Sequence, residues 1–302
     1  MKSIFSQTYN IIEIILVDDG STDDSYEIAK TYHAENIFLY RQENAGAAVA
    51  RNRGIENAKG QFIQFLDAGD CISKDKIRMQ IGVLAKHPNK VAVCGYKQFS
   101  RVEELIDGIY TDQSHFIFSS NNPQEFLINL WGGSGQMNFI QTNCWLIPKH
   151  LLDNSGKWRE YRCPDDDGEF FTRVLLASSG IIYTPHVFNF YHISQGGLNQ
   201  LSKSKNYNYL KNSLLTIDLK YKYLSEIGYH PKLKKAIASQ YYRYAVDVYP
   251  SQILLSAIAF KRYRALDESP PSIILGGKMI EIIKYLFGWK IARIVRFSIR
   301  NV

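Results

Sequence analysis

The sequence predicts an α/β chain: a sheet with helices on both faces, followed by an α-helical extension. Three observations carry this expectation. Short apolar, β-branched runs alternate with helical patterns through the first half. Several of these runs close on Asp and Gly, where a buried strand would give way to a turn. From Tyr207 onward only helical periodicity remains. The expected division is an α/β domain over residues 1–200 and a helical extension over 201–302.

The first run, Ile11 to Val17, reads as a buried strand bounded by Asp18-Asp19-Gly20. Ser21 to Asp24 offers N-cap chemistry for a helix over Tyr26 to His33. Ile37 to Tyr40 is the next strand, and an Ala-rich helix runs from Ala47 to Ala58, closed by Lys59-Gly60. Gln61 to Leu66 reads as a strand ending in Asp67-Ala68-Gly69-Asp70, Lys74 to Lys86 as a helix, and Val91 to Tyr96 as a strand, in an alternation that suggests a parallel sheet. Order weakens between Ser100 and Gln141, where Gly132 to Gly135 marks a loop rather than a phosphate cradle, since no strand leads into it. Thr142 to Ile147 resumes as strand, Pro148 to Asn154 and Gly168 to Ser178 as helices, and Ile181 to Ile193 as one or two strands broken at Pro185. The extension divides into helices over Tyr207–Ile227, Lys232–Val248, Gln252–Tyr263 and Gly276–Ile299.

Hydrophobic residues at 45% and charged residues at 22% of 302 exclude a disordered chain. Cys71, Cys94, Cys144 and Cys163 are too widely spaced for a zinc site and read as reduced thiols. His186 and His192 likewise lack ligand-like spacing. Met1 to Tyr9 is short and polar, unlike a signal peptide, and no apolar run approaches the roughly 18 residues of a spanning helix. A cytoplasmic location is expected, with any membrane contact peripheral, on the inner face. The net charge is +7, and Lys278, Lys284, Lys290, Arg293, Arg296 and Arg300 face only Glu281 in the last helix. Ile280, Ile283, Leu286, Phe287, Ile291, Ile294, Val295 and Phe297 recur there near helical spacing around Trp289. An amphipathic basic helix with an aromatic anchor reads as lying in an anionic membrane surface, or as packing on the domain with a solvated basic face. No recognised nucleic-acid module accompanies the charge, so nucleic acid is not an expected partner.

Ligands of open α/β sheets sit outside the carboxyl ends of the strands. Three acidic clusters fall at or near such places: Asp18-Asp19, Asp67 with Asp70, and Asp165-Asp166-Asp167 with Glu169 just before the helix that begins near Gly168. Each alone reads as helix capping. Together they read as a site where carboxylates gather around a cation, with Mg²⁺ or Mn²⁺ bridging to substrate phosphates as the natural occupant. No G-x-G-x-x-G follows a strand, against a dinucleotide-binding dehydrogenase, and no Gly/Arg/Lys-rich loop near the N-terminus suggests a nucleotidyltransferase.

ILVDDGSTDDS, NAGAAVARNRGIENAKGQFIQFLDAGD, WLIPKHLLDNSGKWRE and CPDDDGEFFTRVLLAS, in that order, resemble the successive signatures of the family 2 glycosyltransferases, which have the GT-A fold. The resemblance covers about residues 1–193. It implies inverting transfer of a sugar from a nucleotide diphosphate donor to a hydroxyl acceptor, one that is lipid-linked in many such enzymes, in cell-surface polysaccharide or glycolipid synthesis. It implies that Asp18 and Asp19 read the nucleotide base, and that Asn44, Arg51 and Asn52 line the nucleotide pocket and brace its loops. It further implies that Asp67 and Asp70 hold the metal on the diphosphate, and that Asp167 is the catalytic base with Asp166 its acidic neighbour.

Three departures from the family pattern stand out. Gly69 replaces a carboxylate of the usual D-A-D-D, so a weakly bound metal is expected. Tyr191-His192 stands where the family often has Arg, and His192 can donate to a phosphate. The segment SIFSQTY begins almost at Met1, so the family's opening strand and Pro-x-Tyr-Asn turn are expected on an upstream segment. The contrasting reading is a truncated, catalytically impaired remnant acting at most as a membrane-bound partner.

Overall fold

The computed structural model describes residues 1–101, 104, 112–193, 206–266 and 268–300. After a short helix, α1 (Lys2–Phe5), strand β1 (Ile14–Asp19) leads through α2 (Ser25–Lys30) to β2 (Ile37–Gln42). β1 and β2 pair in parallel, from Ile14 opposite Ile37 to Asp19 opposite Gln42. This register brings both aspartates to the strand's carboxyl end. Gly20 makes the exit turn with φ +74, and a Cβ there would lie 2.8 Å from the Asn44 nitrogen, so only glycine fits.

Helix α3 (Ala47–Asn57) follows, then β3 (Phe62–Ile63), β4 (Cys71–Ile72), α4 (Lys76–Leu84) and β5 (Val91–Phe99). α5 (Pro123–Leu130) lies inside the stretch expected to be irregular; β6 (Trp145–Pro148), α6 (Leu151–Ser155), α7 (Asp166–Leu176) and β7 (Ile181–His192) complete the alternation. Five strands form one sheet in the order β3-β6-β5-β7-β4. β5 and β7 run parallel, whereas β6 opposes both β3 and β5, and β4 opposes β7. The sheet is therefore mixed and not parallel throughout, because alternation of strand and helix patterns carries no information about the direction of short strands.

Two elements differ instructively from expectation. Pro185 does not break β7, which continues through twelve residues. The register against β5 slips between Val93 and Gly95, which pair with Tyr183 and Phe188, so Pro185 and His186, at φ +63, sit in a bulge where no ladder donor is needed. The strand expected over Gln61 to Leu66 keeps only two paired residues, because β3 has a partner on one side alone. Its other side faces β1 across a cleft of about 290 Å³, lined by Ile15 and Val17 of β1, by α3, and by Phe62 to Ala68.

The core beneath the site is aromatic. Trp158 stacks on Phe170 with centroids 4.1 Å apart, and Phe65 meets both rings edge-on at 5.4 and 5.9 Å. Trp145 stacks on Phe171 at 5.1 Å. Lys76 is fully buried, donating to Gln80 at 2.8 Å and to Gln64, and burial lowers its pKa. The four cysteines are free thiols, and all but Cys71 are buried.

Two compact units are distinguished: Met1–Gln124, Ile140–Arg162 and Asp166–Leu198 in the first, and Glu125–Phe139, Cys163–Asp165 and Asn199–Val302 in the second. The boundary expected at residue 200 lies outside the described residues. The second unit contains α8 (Tyr207–Ile227), α9 (Leu233–Val248), α10 (Ile253–Ala265) and α11 (Lys278–Arg300). Asn206 caps α8, accepting from the backbone of Asn208 and Tyr209. Asp218 ties the bundle by accepting from Tyr241 Oη at 2.6 Å and pairing with Arg262 at 2.9 Å. The Gly132 to Gly135 loop spends its Gly133 and Gly135 amides on Ile128 and Gly132 carbonyls, as a structural turn does and a phosphate cradle does not. α11 is not one continuous helix, since Gly288 has φ 82 and ψ 166.

Candidate active site

The aspartates at the end of β1 take different parts. Asp19 is a brace: its Oδ1 accepts from Gln42 Nε2 and Ala45 N, both at 2.9 Å, and its Oδ2 from Gly46 N at 2.8 Å. The carboxylate thus fixes the turn that leads into α3, and a negative charge beside that helix N-terminus complements its dipole. Asn44 is held in turn by Arg162, which donates to its backbone and side-chain oxygens at 2.8 Å. Asp18 keeps an acceptor in reserve. Its Oδ1 takes Ser21 N at 3.3 Å, while its Oδ2 is buried and accepts no hydrogen bond, with Arg41 Nε 3.2 Å away but not aligned to donate one. A buried carboxylate oxygen without a donor is costly, and a base N–H is the kind of group that would satisfy it.

Arg51, on α3, is the centre of the acidic groups. Its guanidinium lies 2.9 Å from Asp67 Oδ1 and 3.5 Å from Asp166 Oδ2, over the Trp158 ring at 4.4 Å. Burial by itself would lower its pKa, but the charges of Asp67, Asp166 and Asp167 outweigh this and raise it. Asn52, one residue on, is buried and exchanges hydrogen bonds of 2.8 Å with the backbone of Trp158, fixing the ring that supports Arg51. It serves as a brace, within the Arg51 and Asn52 segment marked in the sequence.

Asp166 and Asp167 open α7, where a helix N-terminus favours negative charge. Asp166 Oδ1 accepts from Asp167 N at 3.0 Å; Asp167 Oδ1 accepts from Gly168 N at 2.8 Å, and its Oδ2 from Thr142 Oγ1 at 3.4 Å. Their neighbours do not join them. Asp165 belongs to the second unit, bound to Thr216 and Lys220, and buried Glu169 pairs with Arg159 and Arg173.

Asp67 and Asp70, three residues apart, separate in the same way. Asp67 is 44% exposed, with Arg51 on one oxygen. Asp70 is turned inward: Oδ1 accepts from His192 N at 2.8 Å, and Oδ2 from Gln141 at 2.7 Å and Asn143 at 2.8 Å. Burial raises its pKa, with the bonds from His192, Gln141 and Asn189 opposing. Tyr191 stands beside these groups: burial first, then the charges of Asp70, Asp67 and Asp167, push its phenol up. Gly69 has φ +94, and a Cβ there would sit 3.4 Å from His192 Nδ1. Among the described residues no three His, Cys, Asp or Glu side chains converge as a cation cage. What fits is a hard cation shared between half-exposed Asp67 and the oxygens of a bound phosphate, since Mg²⁺ is commonly held by one or two carboxylates plus substrate.

Gln141, Asn143, Asn189 and Thr142 carry no marker in the sequence, where they read as ordinary loop or strand residues. Only the fold brings them to Asp70 and Asp167.

Comparison with known proteins gives the family and the fold. Over 213 residues, 68% of the chain, the sequence is 30% identical to glycosyltransferase GlyA of Streptococcus pneumoniae serotype 4, and the aligned part spans 30% of that protein. It is 38% identical over 99 residues, 32% of the chain and 39% of the relative, to TuaG of Bacillus subtilis, a glycosyltransferase named for teichuronic acid biosynthesis. Among solved structures, S. aureus TarS 1-349 in complex with UDP-GlcNAc shares the fold, with a TM-score of 0.60 and 18% identity over 89% of this chain and 85% of that one. Residues 1–152 match the family described as glycosyl transferase family 2. The chain belongs to glycosyltransferase family 2.

Proposed function

We propose that this chain transfers a sugar from a nucleotide diphosphate donor to a hydroxyl acceptor with inversion at the anomeric carbon. The observation that carries the proposal is the convergence of Asp67 and Asp166 on Arg51, with Asp167 adjoining. Asp18's unsatisfied buried oxygen, at the carboxyl end of β1, suits the N–H of a nucleotide base. TarS crystallised with UDP-GlcNAc supports a uridine diphosphate donor, and the TuaG name supports a product in cell-surface polysaccharide. A lipid-linked acceptor, and work on the cytoplasmic face of a membrane, complete the reading.

The chemistry balances with few groups. Asp167 takes the proton of the acceptor hydroxyl as its oxygen attacks the anomeric carbon. The bond from that carbon to the diphosphate oxygen breaks on the opposite face, and the nucleoside diphosphate leaves with the electron pair. Arg51 keeps the carboxylates in place by offsetting their mutual repulsion. A weakly held Mg²⁺ or Mn²⁺ at Asp67 would supply neutralisation of charge on the leaving diphosphate.

Asp167→Asn is expected to lower kcat by about 10²–10⁴-fold while leaving nucleotide affinity nearly unchanged, because the amide keeps the shape but accepts no proton. Steady-state kinetics with calorimetric titration of the nucleotide checks this. If Asp167→Asn turns over normally and Asp166→Asn does not, the base is Asp166.

Asp70→Ala is expected to destabilise the fold by roughly 2–3 kcal/mol in urea denaturation, since it strands the donors of His192, Gln141 and Asn143. Asp67→Asn is expected to cost under about 1 kcal/mol because Asp67 is 44% exposed and Arg51 keeps Asp166, yet to lower kcat/KM sharply. The reverse order would exchange their roles.

With glycine at position 69, half-maximal activation is expected only at high Mn²⁺ or Mg²⁺. Gly69→Asp should tighten it, against backbone strain on the order of 1 kcal/mol at this positive φ. A tight requirement unchanged by Gly69→Asp contradicts the assignment.

A further inference from the structure

α11 buries one side of itself within the second unit. Ile280 and Ala292 join Val246, Ile273 and Leu275 in a core against which Ile283, Trp289 and Val295 pack. Trp289 meets Tyr242, Tyr249 and Phe260 at 5.5 to 6.3 Å, so it is a packing residue and not the surface anchor its place in the sequence suggested. Several cations of the helix are likewise turned to internal work. Arg293 donates to the Tyr249 and Asp247 carbonyls, Arg296 to Leu275, and Lys284 to Ile273 and Glu281.

The break at Gly288 decides what remains outside. In an unbroken helix the side that buries Ile280 and Ile283 would continue through Phe287 and Ile291. The left-handed residue resets the phase, so that Trp289 and Ala292 turn inward instead. Phe287 and Ile291 are left exposed, in the same helix as exposed Met279, Ile282, Leu286 and Ile294. Six cations against one carboxylate make this helix strongly positive, and among the described residues Lys278 and Lys290 have no ion pair.

We propose that the exposed side of α11, centred on Leu286 and Phe287 at its break, docks on an anionic lipid bilayer. Exposed side chains of this size, with a net positive charge on the same helix, suit the interfacial region of a bilayer and its acidic headgroups. Charge separates this occupant from a second copy of the chain, which would bring the same positive helix against itself. No helix among the described residues is long and apolar enough to cross a membrane, so the contact is a surface one. This deepens the peripheral-membrane reading above and rests on it for the nature of the occupant, while its test reads binding without turnover.

The test is co-sedimentation of the full chain with vesicles of phosphatidylcholine alone, or mixed in equal parts with phosphatidylglycerol. Binding to the mixed vesicles, weakened by raised salt, is expected to fall at least about tenfold in the double variant Leu286→Ser, Phe287→Ser. Both side chains are exposed, so circular dichroism of the variant should match the parent. Lys278→Gln with Lys290→Gln, which leaves every apolar residue in place, should reduce binding to the mixed vesicles and restore part of it at low salt. Equal binding by parent and double serine variant overturns the proposal, as does the absence of binding to either vesicle. Light scattering that shows a dimer without lipid, lost in the serine variant, overturns it in favour of a second copy.

Discussion

Arg51 sits between Asp67 and Asp166, and its two ion pairs join segments far apart in the chain. Asp67 lies at the exit of the β3 segment and Asp166 at the start of α7, while the guanidinium rests on Trp158. Carboxylates brought this close repel one another, and a buried guanidinium with planar donors offsets that repulsion at several of them together. Breaking a buried pair of this kind costs about 3–5 kcal/mol, less where one partner is half exposed as Asp67 is. Asn52 fixes the Trp158 backbone, and Phe170 and Phe65 fix its ring. The aromatic core therefore sets where the cation sits, and the cation sets where the acids sit.

This dependence divides the acidic residues into those that hold the fold and those left for chemistry. Asp19 spends its oxygens on Gln42 and on the Ala45 and Gly46 amides that lead into α3, and Asp70 accepts from β7 and from the 141–143 segment together. Asp18 keeps one buried oxygen without a hydrogen bond at the end of β1, Asp67 is half exposed after β3, and Asp167 stands in the first turn of α7. Gly69 belongs with the second set: no carboxylate occupies that place, and His192 adjoins it.

Much of this was legible in the sequence, and what was hidden has physical causes. The first two acidic clusters could be read because each terminates an apolar run, and strand ends are where α/β folds collect ligands, while the third could be read as the start of a helix. The helices of the second unit could be read because tens of residues keep one periodicity. The inward turn of Asp70 could not, since it depends on Gln141 and Asn143, about seventy residues away, whose amides look like any polar strand residue. Strand direction, the bulge that carries Pro185, and the phase reset at Gly288 are also set by tertiary contacts or by a single φ. Trp289 misled because a large ring on a basic helix looks the same in sequence whether it faces lipid or a neighbouring Tyr242.

The proposed roles, with Asp167 as the base and the diphosphate leaving from the opposite face, imply a single displacement. The anomeric configuration of the sugar tests this most directly. Proton NMR of the sugar released from an α-linked nucleotide donor, recorded during turnover and before mutarotation, distinguishes the two outcomes. The β-anomer as the first product is the expected result. The α-anomer as the first product would mean two displacements or a front-face reaction, and would contradict the roles given to Asp167 and Arg51.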